Sequence, residues 1–235
     1  MKLSVIVPAF NEERLLPATL VNLKERVPPP FELIVCDNNS TDRTAEIARA
    51  AGATVVLEPV NQISRARNRG AAAATGEWLL FVDADSLPGK ALLAETLEAI
   101  ASGRCLAGGA TVAFESRGLA VRFWLALWNA TSRLMRWAAG SFIFCEAAAF
   151  REVGGFSEAL YASEELDLFR RLKRLARKRG RSIVILHRHP LLTSDRKVRL
   201  YRWHEHLGFL LKTFATGGRT LRRREDCTVW YDGRR

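Results

Sequence analysis

Residues 79–86 read LLFVDADS, an apolar run that ends in two acids one residue apart. The run has the composition of a buried strand, and Asp83 and Asp85 follow it directly. If the strand continues through them, side chains at i and i+2 share one face, so both carboxylates can reach one ligand. Carboxylate oxygens suit Mg²⁺ and Mn²⁺. A polar turn after a strand explains the same residues without a metal, so the surrounding sequence has to decide.

Strand and helix patterns alternate around this stretch. The strands are predicted at 2–10, 31–37, 53–59 and 77–85, and the helices at 15–27, 39–52, 64–76 and 89–102. This alternation predicts an α/β fold in which right-handed crossovers build a mainly parallel sheet. Ligands of such sheets bind beyond the carboxyl ends of the strands. The loops PAFNEE, DNNSTD and DADS all follow strands, so we expect their polar residues to converge on one crevice.

The second half of the chain is less regular. A strand is predicted at 108–116, an amphipathic helix with three tryptophans at 119–139, a basic helix at 163–180 and a last strand at 181–189. The length of 235 residues suits one sizeable core, or one domain with an appendage.

The net charge of +11 is unevenly distributed. Residues 1–167 hold 16 Lys and Arg against 20 Asp and Glu, a balance of −4, whereas residues 168–235 hold 20 against 5, a balance of +15. A basic surface suits phosphates, nucleic acid or anionic lipid headgroups, and a solvated basic helix explains the charge equally well.

Cysteine usage and hydropathy bear on the compartment. The four cysteines form no CxxC pair, which predicts no disulfide framework and a reducing environment. The sequence starts on a strand pattern, so no signal peptide is expected. Arginines interrupt the apolar stretch 119–144, so no membrane span is expected. We therefore expect a cytoplasmic protein, with peripheral contact to the inner face of the membrane through the basic tail and the 119–139 helix.

Four segments resemble the family 2 glycosyltransferases. They read SVIVPAFNEE, ELIVCDNNSTDRTAEIA, ARNRGAAAATGEWLLFVDADS and FREVGGFSEALYASEELDLFRRL, and the resemblance covers about residues 3–175. It implies a GT-A-type fold, with a Rossmann-like, mainly parallel sheet flanked by helices and a basic C-terminal extension. The implied reaction moves a sugar from a UDP- or GDP-sugar to an acceptor hydroxyl, assisted by a metal and with inversion. The product is not implied, because this fold serves many substrates.

The resemblance also implies a division of the chain. A glycosyltransferase domain would span 1–190, with a nucleotide-binding half at about 1–102 and an acceptor half at about 103–190. The basic extension would span 191–235 and pack on the same domain.

The implied nucleotide-sugar site lies in the strand-end loops. Asp37 would contact the base or ribose, and Asn38 follows it where many members have a second acid, which leaves UDP or GDP open. Arg67 would meet phosphate oxygens or a base carbonyl, and Asp83 the ribose or sugar. The whole implied set is Pro8, Ala9, Phe10, Glu12, Asp37, Asn38, Arg65, Arg67, Asp83 and Ala84. Turn formation, helix capping and solvation are the simpler alternatives.

The implied metal ligand is Asp85, holding Mn²⁺ or Mg²⁺ against the diphosphate of the donor. His187 and His189 share one face if the last strand is regular, so one of them could complete the metal site. Exposed polar surface is the alternative for both histidines. The segment TSDRK at 193–197 could close over the diphosphate through Arg196 and Lys197.

The implied general base is Glu165, at the position where the family usually has an aspartate. It would accept the proton of the acceptor hydroxyl. Glu164 and Asp167 are rivals, and acids that merely favour the helix dipole are the alternative for all three. We expect the dipole to keep Glu165 ionised.

Two other functions stay open. One is a module that binds nucleic acid or an anionic surface through its basic tail. The acids Asp37, Asp83, Asp85 and Glu165 disfavour it because they repel a polyanion, so no nucleic-acid partner is expected. The other is a nucleotidyltransferase, disfavoured because no glycine-rich phosphate loop with a lysine stands near the N-terminus.

Overall fold

An eight-stranded sheet organises the chain in the computed structural model, which describes residues 1–114, 118–194, 208, 212–213 and 216–231. The strands are β1 Leu3–Ala9, β2 Phe31–Asp37, β3 Thr54–Leu57, β4 Trp78–Val82, β5 Ser86–Leu87, β6 Cys105–Phe114, β7 Phe142–Glu146 and β8 Ser182–Thr193. The helices are α1 Leu16–Arg26, α2 Thr44–Ala50, α3 Ile63–Ala73, α4 Lys90–Ala101, α5 Leu119–Met135, α6 Ala147–Glu152 and α7 Glu164–Lys178. Short helical turns follow at Arg219–Arg222, Arg224–Asp226 and Thr228–Tyr231.

The strand order is β3-β2-β1-β4-β7-β6-β8-β5. Strands β3, β2, β1 and β4 are parallel, as the alternating sequence pattern predicted. Strand β7 runs antiparallel to both β4 and β6, and β5 runs antiparallel to β8. The predicted α/β class is confirmed, and the carboxyl ends of β1, β2 and β4 share one edge.

Both faces of the sheet are covered by helices, which explains why β1 is buried throughout and is apolar except at Ser4. Val5 and Val7 pack in one cluster with Leu20 of α1, whereas Ile6 packs in the other cluster with helices α3, α6 and α7. Gly70 lets α3 approach β1 closely, since a Cβ there would lie 2.5 Å from Ile6 Cγ2.

Two predicted strands differ from the structure at places that matter for the site. Strand β4 ends at Val82, so Asp83 and Asp85 lie in a turn beyond it. Strand β8 continues past the predicted end at 189 to Thr193, where it pairs with β5. It therefore crosses the predicted domain boundary at 190.

The described part of the C-terminal region packs against the loops around α3 and α7. Tyr161 N donates to Leu221 O at 2.7 Å, and Arg224 donates to Asn61 Oδ1 at 3.3 Å. Tyr231 lies against Tyr161 with ring centroids 5.6 Å apart. Arg196 and Lys197 lie outside the described residues. The division at 190 and the extension as a unit stay predictions.

No helix of the described chain is both long and apolar enough to cross a membrane.

Candidate functional site

The loops after β1 and β2 are joined by side-chain hydrogen bonds. Asn11 N donates to Ser40 Oγ at 2.9 Å, and Thr41 N donates to Asn11 Oδ1 at 2.7 Å. Glu12 N donates to Thr44 Oγ1 at 2.8 Å. The predicted loops PAFNEE and DNNSTD therefore meet at the carboxyl edge of the sheet.

The end of β1 forms the floor of this edge. Pro8 and Ala9 pair with Cys36 and Asp37 in the parallel register, and both are buried. Phe10 is half-buried just beyond the strand end. Glu12 is buried and stands at the start of α1, where its carbonyl accepts from the first turn of that helix.

Asp37 and Asn38 are both buried at the end of β2 but have different surroundings. Asp37 Oδ1 accepts from Ser40 N at 3.1 Å. Asn38 Nδ2 donates to the carbonyls of Glu58 and Val60 at 3.2 and 2.6 Å.

The amide oxygen of Asn38 accepts from Gln62 N at 2.9 Å. Both ends of this amide thus hold the 58–62 segment in place. The predicted contact of Asn38 with the nucleotide stays a prediction, beside this structural role. The structural role explains an amide at this position, because a carboxylate could not donate to two carbonyls.

Asp83 and Asp85 occupy a turn, which corrects the expectation that they share the face of a strand. Asp83 N donates to Ser141 O at 3.2 Å, and Ser86 N donates back to Asp83 O at 3.1 Å. The alternation of side chains along a strand therefore stops at Val82. Both carboxylates are half-buried.

The rest of the turn is held through its backbone. Thr19 Oγ1 of α1 donates to Ala84 O at 2.7 Å. Ser194 N, just after β8, donates to Asp85 O at 3.3 Å. Because α1 and β8 fix its carbonyls from two sides, the turn presents Asp85 in a defined position.

Arg67 of α3 joins the turn to α7. Its side chain is buried, and Nη2 donates to Asp83 Oδ1 at 2.9 Å and to Gly140 O at 2.8 Å. Nη1 donates to Glu164 Oε1 at 2.6 Å. Its guanidinium also lies over the ring of Phe156, 5.2 Å from the centroid.

The predicted contact of Arg67 with a phosphate or base carbonyl stays a prediction, and the contacts seen here are with protein groups. Burial alone would lower the pKa of Arg67, but the charges of Asp83 and Glu164 raise it overall. The guanidinium is therefore an internal link between carboxylates. The sequence offered no signal for it, because the partners come from distant segments.

Arg65, in the first turn of α3, also forms ion pairs. Nε donates to Glu58 at 3.2 Å, and Nη1 donates to Glu158 at 2.8 Å. Its side chain is partly exposed. A donor phosphate at Arg65, which belongs to the implied nucleotide-sugar set, would have to compete with these two carboxylates.

The three acids at the start of α7 have three different environments. Glu164 is buried against Arg67, whereas Asp167 forms an ion pair with Arg171 at 2.7 Å. Glu165 is half-buried, and burial together with the charge of Glu164 raises the pKa of Glu165 to about 8. This corrects the expectation that the helix dipole keeps Glu165 ionised, because burial and the neighbouring acid outweigh the dipole.

His187 and His189 do not lie on a regular strand face. The pairing of β8 with β6 skips residues 187–190, which form an exposed bulge. Within the described ranges, no three His, Cys, Asp or Glu side chains come together as a metal-binding group. Asp85, His187 and His189 therefore do not form a three-residue metal group, and a role for one of the two histidines beside Asp85 stays a prediction.

Comparison with known proteins adds independent findings. A family model described as "Glycosyl transferase family 2" matches residues 4–154. An uncharacterised glycosyltransferase of Mycobacterium tuberculosis is 42% identical over 82 residues, which are 35% of this chain and 36% of the relative. The matched regions cover only 20% to 36% of the curated relatives' own length.

Solved structures share the fold. A mannosyltransferase of Pyrobaculum calidifontis, in complex with GDP-Man and Mn²⁺, superimposes with a TM-score of 0.70 at 23% identity, covering 92% of this chain and 64% of that one. S. aureus TarS 1–349 in complex with UDP-GlcNAc has a TM-score of 0.65 at 23% identity, covering 83% of this chain and 59% of that one. Both have the GT-A glycosyltransferase fold, which the family resemblance implied for this chain.

Proposed function

Because the chain belongs to glycosyl transferase family 2 and is therefore a glycosyltransferase, we propose that it moves a sugar from a nucleoside-diphosphate sugar to an acceptor hydroxyl with inversion of the anomeric centre. One observation carries the proposal. Arg67 bonds Asp83 and Glu164 at 2.9 and 2.6 Å, and thereby brings the turn after β4 next to the start of α7. A donor-side acid and a candidate base thus border one site.

The donor nucleotide is proposed to lie at the edge formed by β1 and β2. Phe10 offers an apolar surface there, and Asp37 offers a buried carboxylate for the base or ribose. The solved relatives hold GDP-Man in one case and UDP-GlcNAc in the other. Both nucleotides are therefore the donors to test first.

Asp85 is the residue proposed to hold a divalent cation. Its carboxylate is half-buried in the turn after β4, and a hard oxygen donor of this kind fits Mg²⁺ or Mn²⁺, which take their other ligands from water and phosphate. When bound, such a cation would offset the diphosphate charge and stabilise the leaving group. The exposed bulge at 187–190 is not included in this proposal.

Glu165 is the proposed general base. The acceptor oxygen attacks the anomeric carbon, the bond from that carbon to the diphosphate oxygen breaks, and the acceptor proton passes to Glu165. Attack from the face opposite the diphosphate inverts the anomeric centre. Glu164 is a poorer base because its carboxylate is bound by Arg67, and Asp167 is paired with Arg171.

A donor screen tests the function. Calorimetry with UDP and GDP in Mn²⁺ is expected to show binding of one nucleotide, and the matching sugar nucleotides are then assayed for nucleoside diphosphate release with candidate hydroxyl acceptors. NMR of the product would show the inverted anomer. Glu98→Gln, an exposed acid on α4, serves as the control that keeps activity. Failure of both nucleotides to bind would refute the proposal, and a retained anomer would refute inversion.

A further inference from the structure

Helix α5 carries an exposed apolar surface. Nine large apolar side chains are exposed among the described residues, and five of them lie on α5: Phe123, Trp124, Leu127, Leu134 and Met135. Phe123 and Trp124 are each 65% exposed, and Leu134 is 83% exposed. We call these five side chains the α5 apolar surface. Clustered exposure of this kind is typical of an interaction site rather than of scattered surface residues.

The opposite side of α5 is fixed to the domain. Leu125 and Trp128 are partly buried and pack against the core cluster. Asn129 accepts from Val112 N at 3.0 Å and donates to Val112 O at 2.9 Å, so its side-chain amide pairs with the backbone of β6. The helix is therefore held in place, and its outward side is a built feature of the surface.

The segment around this surface carries only positive charge. Residues 118–141 contain no Asp or Glu, and Arg122, Arg133 and Arg136 are all exposed. Within the residues that the structure describes, none of these three arginines forms an ion pair with a carboxylate. These positive charges are therefore available to bind an anionic partner.

Helix α7 adds to the positive charge at the C-terminal end of α5. Lys173 Nζ donates to Met135 O and lies 5.4 Å from the centre of the Trp137 ring. Burial, together with the positive charges of Arg177 and Arg136, lowers the pKa of Lys173. Cations therefore crowd beside the apolar surface.

A second copy of this chain is a poor occupant for the surface. An antiparallel pair of α5 helices would bring Arg122 of one copy towards Arg133 of the other, and the segment contains no acid to separate them. Like charges at such a distance repel. The partner that binds this surface must instead interact favourably with both apolar side chains and positive charges.

We propose that the α5 apolar surface docks this protein onto an anionic membrane surface, with α5 lying in the plane of the bilayer interface. An amphipathic helix buries its apolar face at the boundary of headgroups and acyl chains, and its cations meet the anionic lipids. The 17 residues of α5 give a helix about 25 Å long for this contact. Aromatic residues such as Trp124 favour this depth.

Docking would also place the candidate site close to the bilayer. The segment 136–141 joins α5 directly to the site, since Gly140 O accepts from Arg67 and Ser141 O accepts from Asp83 N. An acceptor hydroxyl held at the membrane surface could then reach Glu165. This consequence rests on the proposed glycosyl transfer, whereas the docking does not.

Flotation of the full chain with vesicles tests the proposal. Vesicles of phosphatidylcholine mixed with phosphatidylglycerol are expected to bind the protein at least about tenfold more tightly than phosphatidylcholine alone. Trp124→Ser combined with Leu134→Ser should weaken binding to the mixed vesicles about tenfold or more. Arg133→Glu combined with Arg136→Glu should remove the preference for the anionic lipid.

Val21→Ser and Leu57→Ser are the matched controls, because these exposed apolar side chains lie on α1 and β3. Binding that ignores both lipid charge and the α5 substitutions would overturn the proposal. So would a dimer, seen by light scattering without lipid, that Leu134→Ser converts to a monomer. Nucleotide calorimetry on the α5 variants should match the unaltered protein, which separates failure of docking from failure of the donor site.

Discussion

Arg67 and Glu164 are 97 positions apart in the sequence, yet Arg67 Nη1 donates to Glu164 Oε1 at 2.6 Å inside the protein. The same guanidinium bonds Asp83, so one buried cation lies between two carboxylates from different elements. Such a link fixes the start of α7 relative to the turn after β4. It is also vulnerable, because loss of one partner leaves an uncompensated buried charge.

The first prediction concerns this link. Arg67→Ala is expected to lower the free energy of unfolding by about 3–5 kcal/mol, since Asp83 and Glu164 lose their common partner. Arg65→Ala, which removes a partly exposed pairing with Glu58 and Glu158, should cost no more than about 1 kcal/mol. Urea unfolding of both variants measures the difference. Equal losses in the free energy of unfolding would show that the ion pairs of Arg67 contribute no more than exposed ion pairs do.

The Arg67 link also marks a limit of prediction from the sequence. Strand β2 spans 31–37 as predicted, because its apolar pattern is local and its ends are polar. The partners of Arg67 depend on how α3, β4 and α7 pack, which no local pattern records. The same holds for the antiparallel β7 and for the bulge at 187–190. The candidate acids and Arg67 were predicted as site residues, whereas the contacts through which Arg67 positions the acids were not.

The second prediction concerns the pH dependence of turnover. A general base must be ionised, and burial with the charge of Glu164 raises the pKa of Glu165 to about 8. Turnover should therefore rise with pH between about 7 and 9, rather than near the ordinary carboxyl value of 4.5. Glu165→Gln should lose about 10²–10⁴ in rate while nucleotide affinity is kept. Asp167→Asn, whose acid pairs with Arg171, should stay active.

A turnover profile that is flat above pH 5 would contradict the role of Glu165. If Glu165→Gln stays active and Glu164→Gln or Asp167→Asn is inactive, the position of the base carried over from the family resemblance is wrong.

The third prediction uses stability instead of activity. The pKa of Glu165 is raised in the folded protein from 4.5 to about 8, so its neutral form is favoured there. The stability that this shift provides is present below pH 4.5 and is lost as pH rises towards 8, because ionisation is easier in the unfolded chain. The free energy of unfolding should thus fall by up to about 1.4 kcal/mol per pH unit in this window. Glu165→Gln should remove that slope.

Urea unfolding of the unaltered protein and of Glu165→Gln, at several pH values from about 5 to about 8.5, measures this slope. The range covers most of the interval over which the pKa of Glu165 is raised, from 4.5 to about 8. A difference in stability that is constant over the whole range would show that Glu165 does not titrate there.

The fourth prediction separates a structural role of Asn38 from nucleotide recognition. Asn38→Asp replaces a donor to the Glu58 and Val60 carbonyls with a group that can only accept. The free energy of unfolding should fall by about 1–3 kcal/mol. Asn39→Asp, at the next and exposed position, is the control and should be nearly neutral. Altered preference for UDP or GDP with unchanged stability would instead show that Asn38 contacts the base.

The last prediction assigns different roles to the two acids after β4. Calorimetry should show that nucleoside diphosphate binds at least about tenfold more weakly when EDTA replaces Mn²⁺, because the cation offsets the diphosphate charge. Asp85→Asn should remove this metal dependence without lowering stability much. Asp83→Asn should lower stability, because Asp83 is bonded to the buried Arg67.

His187→Ala and His189→Ala are the controls for the metal, since both histidines lie in the exposed bulge of β8 and should leave the Mn²⁺ dependence unchanged. Loss of metal dependence in either histidine variant would mean that the bulge rearranges towards Asp85 when nucleotide binds. Unchanged metal dependence in Asp85→Asn would instead exclude Asp85 as the ligand. Because stability and metal dependence are measured separately, a folding defect in one variant cannot imitate the loss of a metal ligand.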